Sequence, residues 1–318
     1  MGGGLINLLF ILVIAIVASL DITSASVNQP FTFQAIGIEA FGVTGRIVNG
    51  TKAALRQFPH QVSLKRSWSG SHFCGGVLIA PSWVLSAGHC MFIDKVLQEP
   101  WSMLVEGGQL QLGSPTSTSQ QRNVTKIYVH PNFDISTLEN DLSLLKLGAP
   151  FVTTPEVKPA SLPRYPAKPD ETCSVSGWGY LDERFPFVSK DLMYVDLPIL
   201  NRTTCRDMLV NVSTLPGHFF CAGYSEGMRD ACQGDSGGGM MCDGILTGVV
   251  SGGEGCARPR IPGLYTDVFY YKEWIYKISN NLLERRSVYS NDSSSIQSSF
   301  AVLTFSFFYI VYFFLNSK

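Results

Sequence analysis

Strong charge of either sign is missing from this chain. Only 15% of its 318 residues are Asp, Glu, Lys or Arg, and the formal net charge is −1. Nothing here builds the basic field that a nucleic-acid partner requires, which excludes that class of function. No two of the eight cysteines stand in C-x-x-C spacing, which speaks against zinc or dithiol redox chemistry. No internal repeat is visible. No calcium-type loop stands out between residues 91 and 125, so neither a metal nor any other cofactor is expected.

The two ends are apolar. Residues 5–20 form a nearly uninterrupted apolar run, followed by small residues at Thr23-Ser-Ala-Ser26. This reads as a secretory signal over 1–25, although its start carries no Lys or Arg. At the other end, Phe300 to Leu315 is a mostly apolar stretch of 16 residues, preceded by the small, polar stretch Ser290–Ser299. Small residues, a polar spacer and a terminal apolar tail form the pattern of glycolipid (GPI) attachment. A transmembrane helix is the competing reading, but sixteen residues fall short of the usual ~17–25. The expected organisation is a signal (1–25), a propeptide (26–46), a main domain (47–284), a polar linker (285–299) and an anchoring tail (300–318). An even cysteine count behind a signal implies disulfides and an oxidising compartment. Asn49, Asn123, Asn201, Asn211 and Asn291 head Asn-x-Ser/Thr sequons and are glycosylation candidates.

Between the ends lie short β-rich runs broken by Gly, Pro and Asn. They include Gln61–Lys65, Gly76–Ile79, Lys126–His130, Leu142–Leu147 and Gly248–Ser251. Strands this short and frequent predict an all-β barrel or sandwich. Trp274, Ile275, Ile278, Leu282 and Leu283 recur near helical spacing and predict a C-terminal amphipathic helix.

Chemistry concentrates in Asp230-Ala-Cys-Gln-Gly-Asp-Ser-Gly-Gly238. It offers a nucleophile, Ser236, two backbone N–H donors for an oxyanion, those of Gly234 and Ser236, and two acids, Asp230 and Asp235. The segment also fits the G-x-S-x-G pattern of α/β-hydrolases, which place the catalytic His after the Ser. Here the histidines are His60, His72, His89, His130 and His218, all before Ser236. The subtilisin order needs an Asp before the His, and only Asp21, in the signal region, precedes His89. The order His–Asp–Ser remains. His89 lies in Leu85-Ser-Ala-Gly-His-Cys90, and Asp141 leads an otherwise apolar strand, where a carboxylate is costly unless paired.

With these motifs in hand, residues 46–280 resemble a trypsin-like member of the chymotrypsin family of serine proteases. The resemblance implies two packed six-stranded antiparallel β-barrels with a C-terminal α-helix. It implies Ser236 as nucleophile, His89 as proton shuttle, Asp141 as orienting acid, and Gly234 and Ser236 as the oxyanion hole. Arg46-Ile47 resembles the family's activation junction, so a cut there would free an ammonium on Ile47 to pair with Asp235. Asp230 would form the floor of the primary pocket, with Ala231, Ser251, Gly253 and Gly263 around it. That pocket implies peptide substrates with Arg or Lys before the cut, and Ala231 in place of a serine favours Arg. The implied disulfides are Cys74–Cys90, Cys173–Cys242, Cys205–Cys221 and Cys232–Cys256. Closing a loop such as 74–90 stabilises by ~3 kcal/mol. The propeptide contains no cysteine, so it is not tethered.

Gly252, Gly239 and Gly88 stand where the family usually has Trp, Pro and Ala. Loss of the Trp should broaden selectivity beside the primary pocket and lower activity on short peptides. Expected partners are protein or peptide substrates, proteinaceous serine protease inhibitors and, through the tail, the cell-surface membrane. The alternative is a weak or inactive homologue that acts as a binding protein.

Overall fold

The computed structural model describes residues 48–209, 215 and 217–279, all within one compact unit. Arg46, Ile47, both apolar ends, and the sequons at Asn211 and Asn291 lie outside these residues. After the short β1 (Thr51–Lys52), the first half contains β2 (Gln61–Arg66), β3 (His72–Ala80) and β4 (Trp83–Ser86). A small hairpin, β5 (Phe92–Ile93) and β6 (Val96–Leu97), then precedes β7 (Met103–Gly107), β8 (Gln120–Val129) and β9 (Ser143–Leu147). The second half contains β10 (Thr172–Gly177), β11 (Met193–Pro198), β12 (Phe219–Ala222), β13 (Gly239–Cys242), β14 (Ile245–Gly252) and β15 (Gly263–Asp267). Two α-helices, Arg202–Leu209 and Lys272–Ile278, and three short 3₁₀ turns complete the elements among the described residues.

In the first half the order β2-β3-β4-β9-β8-β7 closes into a six-stranded antiparallel barrel. The sequence explains why these strands can share an interior. In β4 and β9, apolar residues occupy consecutive positions, and Val84, Leu85, Leu144 and Leu145 are all fully buried. Such strands are covered on both faces. By contrast, β8 exposes Asn123 and Thr125 on either side of buried Val124, the alternation of a strand with one wet face. Gly76 lets β3 cross the interior, because a Cβ there would lie 2.8 Å from Val84 Cγ1.

The second half is a seven-stranded row, β1-β11-β10-β13-β14-β15-β12. Six of these strands belong to the second half, and β1 is an addition on the outer edge of β11. The row's other edge, β12, curls back to meet the chain just after β11. The contact is an isolated Ile199–Ala222 bridge flanked by Leu200 N–H to Cys221 C=O (2.9 Å) and Gly223 N–H to Pro198 C=O (3.0 Å). The all-β architecture is as expected, with one barrel closed by strand pairing and the other by this single bridge.

The C-terminal helix packs Ile275 into the same apolar cluster as the first barrel, together with Tyr271 ahead of it. Leu282 and Leu283, also expected on this helix, lie outside the described residues. The eight cysteines form Cys74–Cys90, Cys173–Cys242, Cys205–Cys221 and Cys232–Cys256, the pairs that the resemblance implies. Among the described residues no helix is long and apolar enough to cross a membrane.

Candidate active site

The two sheets meet where the turn carrying Ser236 lies against β3. The Gly75 N–H donates to the Ser236 carbonyl at 2.8 Å, and a Cβ on Gly75 would sit 3.0 Å from the Gly238 nitrogen. Gly237 has φ +80°, and a Cβ there would strike Ser86 Oγ. Small residues around Ser236 therefore let the halves close on each other, and they present a half-buried serine at the seam.

His89 and Asp141 come to this seam from the ends of neighbouring strands. His89 begins the short 3₁₀ turn after β4, and Asp141 immediately precedes the Leu142 that leads into β9. Asp141 is fully buried and accepts three hydrogen bonds. They come from His89 Nδ1 (2.8 Å) and Ser251 Oγ (2.5 Å) to Oδ2, and from the His89 backbone N–H (2.7 Å) to Oδ1. Its own carbonyl accepts from Thr266 Oγ1 at 3.0 Å. With Nδ1 donating to a carboxylate, the neutral ring must carry its lone pair on Nε2, the nitrogen a proton-accepting base requires. Burial disfavours the charged imidazolium, but the Asp141 charge and its hydrogen bond outweigh it, so the His89 pKa is raised above its ordinary value. Ser236 Oγ and His89 Nε2 are not hydrogen-bonded to each other here, a looseness common before substrate arrives.

Beside Ser236, the backbone N–H groups of Gly234 and Ser236 find no acceptor among the described residues. The Gly234 peptide is held from the other side, where His72 Nε2 meets its carbonyl at 2.9 Å and His72 Nδ1 meets Ser63 Oγ at 2.8 Å. A carbonyl only accepts, so Nε2–H donates and Nδ1 accepts from the serine. Burial is the main cause that lowers the His72 pKa to about 4, so the ring is neutral at physiological pH. In the sequence His72 stands only as one of five histidines before Ser236, with no role of its own. Its place two residues before Cys74 was the available signal.

A cavity of about 210 Å³ opens next to Ser236. All five residues expected to form the primary pocket line it: Asp230, Ala231, Ser251, Gly253 and Gly263. Asp230 is 5% exposed. Its Oδ2 accepts from Ala257 N–H at 3.1 Å, whereas Oδ1 has no partner among the described residues. Burial is the main cause that pushes its pKa up to about 7, against the Ala257 and Ala231 N–H groups. The Tyr265 hydroxyl in the same lining is also without a partner among the described residues, and no sequence pattern marks it. A Cβ on Gly263 would lie 2.8 Å from Asp230 Oδ1 and block the floor, while one on Gly253 would meet nothing closer than 3.7 Å. Gly253 thus keeps open space that only a ligand would use. A larger cleft of about 940 Å³ runs between residues 159–168 and the C-terminal helix, but it includes none of Ser236, His89 and Asp141 and none of the pocket residues around Asp230.

Asp235 does not line the cavity and is fully buried. It accepts from Gly179 N–H (2.7 Å) and Cys232 N–H (2.9 Å). Gly177 and Gly179 make its niche, since a Cβ on either would collide with the carboxylate. Burial raises its pKa to about 6 despite the two N–H bonds, and no cation pairs with it among the described residues. At the cavity mouth, a Cβ on Gly252 would lie 3.1 Å from Leu138 Cδ1, so Leu138 covers ground that a tryptophan there would need.

The chain matches the Trypsin family over residues 47–275. It is 39% identical over 230 residues to Trypsin from Sus scrofa, spanning 72% of this chain and 94% of that protein. It is 39% identical over 251 residues to Serine protease 1 from Homo sapiens, spanning 77% and 94%. It is also 35% identical over 249 residues to Transmembrane protease serine 9 from Rattus norvegicus, spanning 76% of this chain but 23% of that protein.

Proposed function

Because the chain belongs to the trypsin family and is a trypsin-like serine endopeptidase, we propose that it is made as a zymogen and, after a cut following Arg46, cleaves peptide bonds after Arg and Lys. The observation that carries this reading is the half-satisfied, buried Asp230 carboxylate in a cavity that also reaches Ser236. A guanidinium or ammonium entering that cavity supplies the missing partner, and an apolar side chain leaves it missing. Ser236 attacks the carbonyl and His89 takes its proton on Nε2. Asp141 holds the ring and stabilises the imidazolium, and the Gly234 and Ser236 N–H groups receive the developing oxyanion. The tetrahedral species collapses as the His89 imidazolium returns the proton to the amine nitrogen, which breaks the C–N bond and frees the first product. Water, with His89 again as base, then hydrolyses the acyl-enzyme and restores Ser236. Removing one oxyanion donor in enzymes of this kind costs about 2.7–4 kcal/mol.

Activation rests on Asp235. A fully buried carboxylate held by two N–H groups but by no described cation is destabilising. The Ile47 ammonium freed by cleavage at Arg46 is the cation this proposal supplies, and Gly179, whose N–H holds Asp235, also packs against Gly234. Arg46 itself fits the proposed pocket, so self-activation belongs to the same reading.

The signal, propeptide, linker and tail boundaries given above remain part of the proposal, as does secretion to the cell surface. The tail is proposed to be exchanged for a glycolipid. The word transmembrane in the rat relative's name agrees with a membrane-held protease in general but not with the kind of anchor. If the glycolipid is present, a phosphatidylinositol-specific phospholipase releases the protease from intact cells. Retention after treatment would point instead to a peptide span. Glycans are best supported at Asn123 and Asn201, which are exposed. Asn201 uses only its Oδ1, to cap Thr204 N–H, whereas Asn49 Nδ2 already donates to the Met228 carbonyl.

The deciding experiment combines an organophosphonate label with a substrate profile. After cleavage at Arg46, Ser236 should be labelled and Ser236→Ala should not. Arg peptides should be cut ~3–10-fold better than matched Lys peptides, because Ala231 brings no hydroxyl to extend the shorter reach of lysine. Failure to label would favour the binding-protein alternative, and equal use of Arg and Lys would remove the role given to Ala231.

A further inference from the structure

One wall of the cavity is held from outside by a pair of charges that the reaction does not use. Gly255 and Cys256 line this wall, which is tied inward through Ala257 N–H to Asp230 and through the Cys256–Cys232 disulfide. On its outer side stands Glu183, from the loop between β10 and β11. Glu183 Oε2 accepts from the Cys256 backbone N–H at 3.0 Å, and its two oxygens take Arg258 Nε at 3.0 and 3.2 Å. Arg258 Nη1 also lies 3.8 Å from Glu254. This pair presses on the wall directly. Gly255 has φ +75°, and a Cβ there would collide with the Arg258 guanidinium and come within 2.5 Å of Glu183 Oε2.

The loop that supplies Glu183 also touches the oxyanion side. Tyr180 N–H donates to the Gln233 carbonyl at 2.8 Å, and Val188 Cγ1 would be 3.4 Å from a Cβ on Gly234. A bridge between Tyr180 and Val188 closes the loop between these contacts. One short segment thus rests on Gln233 and Gly234 with its two ends and grips the pocket wall with Glu183.

We propose that Glu183 and Arg258 are positioning residues, a clasp that fixes the wall at residues 253–257 and so sets how well the pocket captures a cationic side chain. The inference rests on the reading of Asp230 as the cation-binding floor. Neither residue lines the cavity, so the clasp acts on binding and leaves the reacting groups alone. The carboxylate is 30% and the guanidinium 45% exposed, and an isolated pair at that exposure contributes little. The third bond, from Cys256 N–H, makes the difference, because it joins the pair to the backbone of the wall. Both groups are charged throughout the neutral range, since each holds the other's charged form.

The test uses the full chain cleaved at Arg46, with Glu183→Gln, Glu183→Ala, Arg258→Met and the Glu183→Ala/Arg258→Met double variant. The readouts are the Kd of benzamidine, an aryl amidinium small enough to probe the pocket alone, kcat and KM for an Arg peptide, and amide exchange over 253–257. Glu183→Ala should weaken benzamidine and raise KM by ~10-fold with kcat nearly unchanged. Glu183→Gln keeps an oxygen for Cys256 N–H and should lose only ~3-fold. The double variant should be no worse than Glu183→Ala, because both substitutions remove one shared interaction. Exchange over 253–257 should quicken in parallel. Strict additivity, a fall in kcat at constant KM, or faster exchange with unchanged benzamidine Kd would each overturn the clasp. If the unsubstituted enzyme itself binds no benzamidine, the Asp230 reading fails and takes the inference with it. Normal binding there with indifferent variants sinks the clasp alone.

Discussion

Asp230→Asn is expected to lower kcat/KM for Arg and Lys peptides by about 10⁴-fold while leaving Ser236 reactive toward a small phosphonate. The expectation follows from what the carboxylate lacks. Its Oδ2 has Ala257 N–H and its Oδ1 has nothing, in a site almost closed to water. Asn keeps the shape and loses the charge, and its NH₂ would face the substrate's own donors. The same imbalance predicts a proton coupling. With the pocket empty, burial holds the carboxyl at about 7, above its ordinary value of 3.8. A bound amidinium favours the carboxylate and pulls that pKa back down. Between the bound and empty values, binding must therefore expel a proton, so benzamidine affinity falls as pH drops below about 7. Near pH 6, calorimetry in buffers of different ionisation enthalpy should read about one proton released per site. His89 and Asp235 are unchanged in Asp230→Asn, so the difference between the two proteins isolates Asp230. Proton release that survives the substitution, or an activity loss below tenfold, would contradict the assignment.

Chain order alone left only the arrangement His–Asp–Ser, because two rival arrangements need a histidine or an acid where this chain has none. The choice of His89 and Asp141 within it came from their neighbours, Cys90 and an apolar strand, and from the family resemblance. Strands whose apolar residues run consecutively, such as Leu142–Leu147, were also legible, although pairing starts only at Ser143. The helix Arg202–Leu209 was not. It buries only Cys205 and Leu209, too few positions to show a period, and its capping residue Asn201 reads equally as a sequon. The bridge that closes the second barrel was invisible because it joins two segments far apart with no pattern in common. Ser251 was legible as a pocket wall, but its hydroxyl turns to Asp141, and a rotamer has no sequence signature. Glu183 was the least legible. A carboxylate in a polar loop looks like a solvated charge until the fold brings Cys256 N–H and Arg258 to it.

Asp141→Asn should reduce kcat by about 10⁴-fold, a magnitude carried over from this family, and its direction can be argued from the hydrogen bonds here. Three donors converge on Asp141: the His89 backbone N–H on Oδ1, and His89 Nδ1 and Ser251 Oγ on Oδ2. An amide has one accepting oxygen and one donating nitrogen, so one of these positions must change. The backbone N–H cannot reorient, which assigns the oxygen to it and turns the NH₂ toward His89 Nδ1 and Ser251. The serine hydroxyl rotates to accept. The imidazole can accept at Nδ1 only by carrying its proton on Nε2, the wrong tautomer to take a proton from Ser236. The pH profile then separates this cause from simple loss of structure. Asp141 is what raises the His89 pKa against burial, so with a neutral amide burial acts alone and the pKa falls below 6.5. The neutral ring then persists to lower pH, and the acidic limb of kcat/KM moves down while the plateau collapses. Ser251→Ala, which removes one donor and leaves the carboxylate in place, should keep the tautomer and lose only ~10-fold. A plateau that falls with the limb unmoved would mean that Asp141 holds the loop rather than the ring.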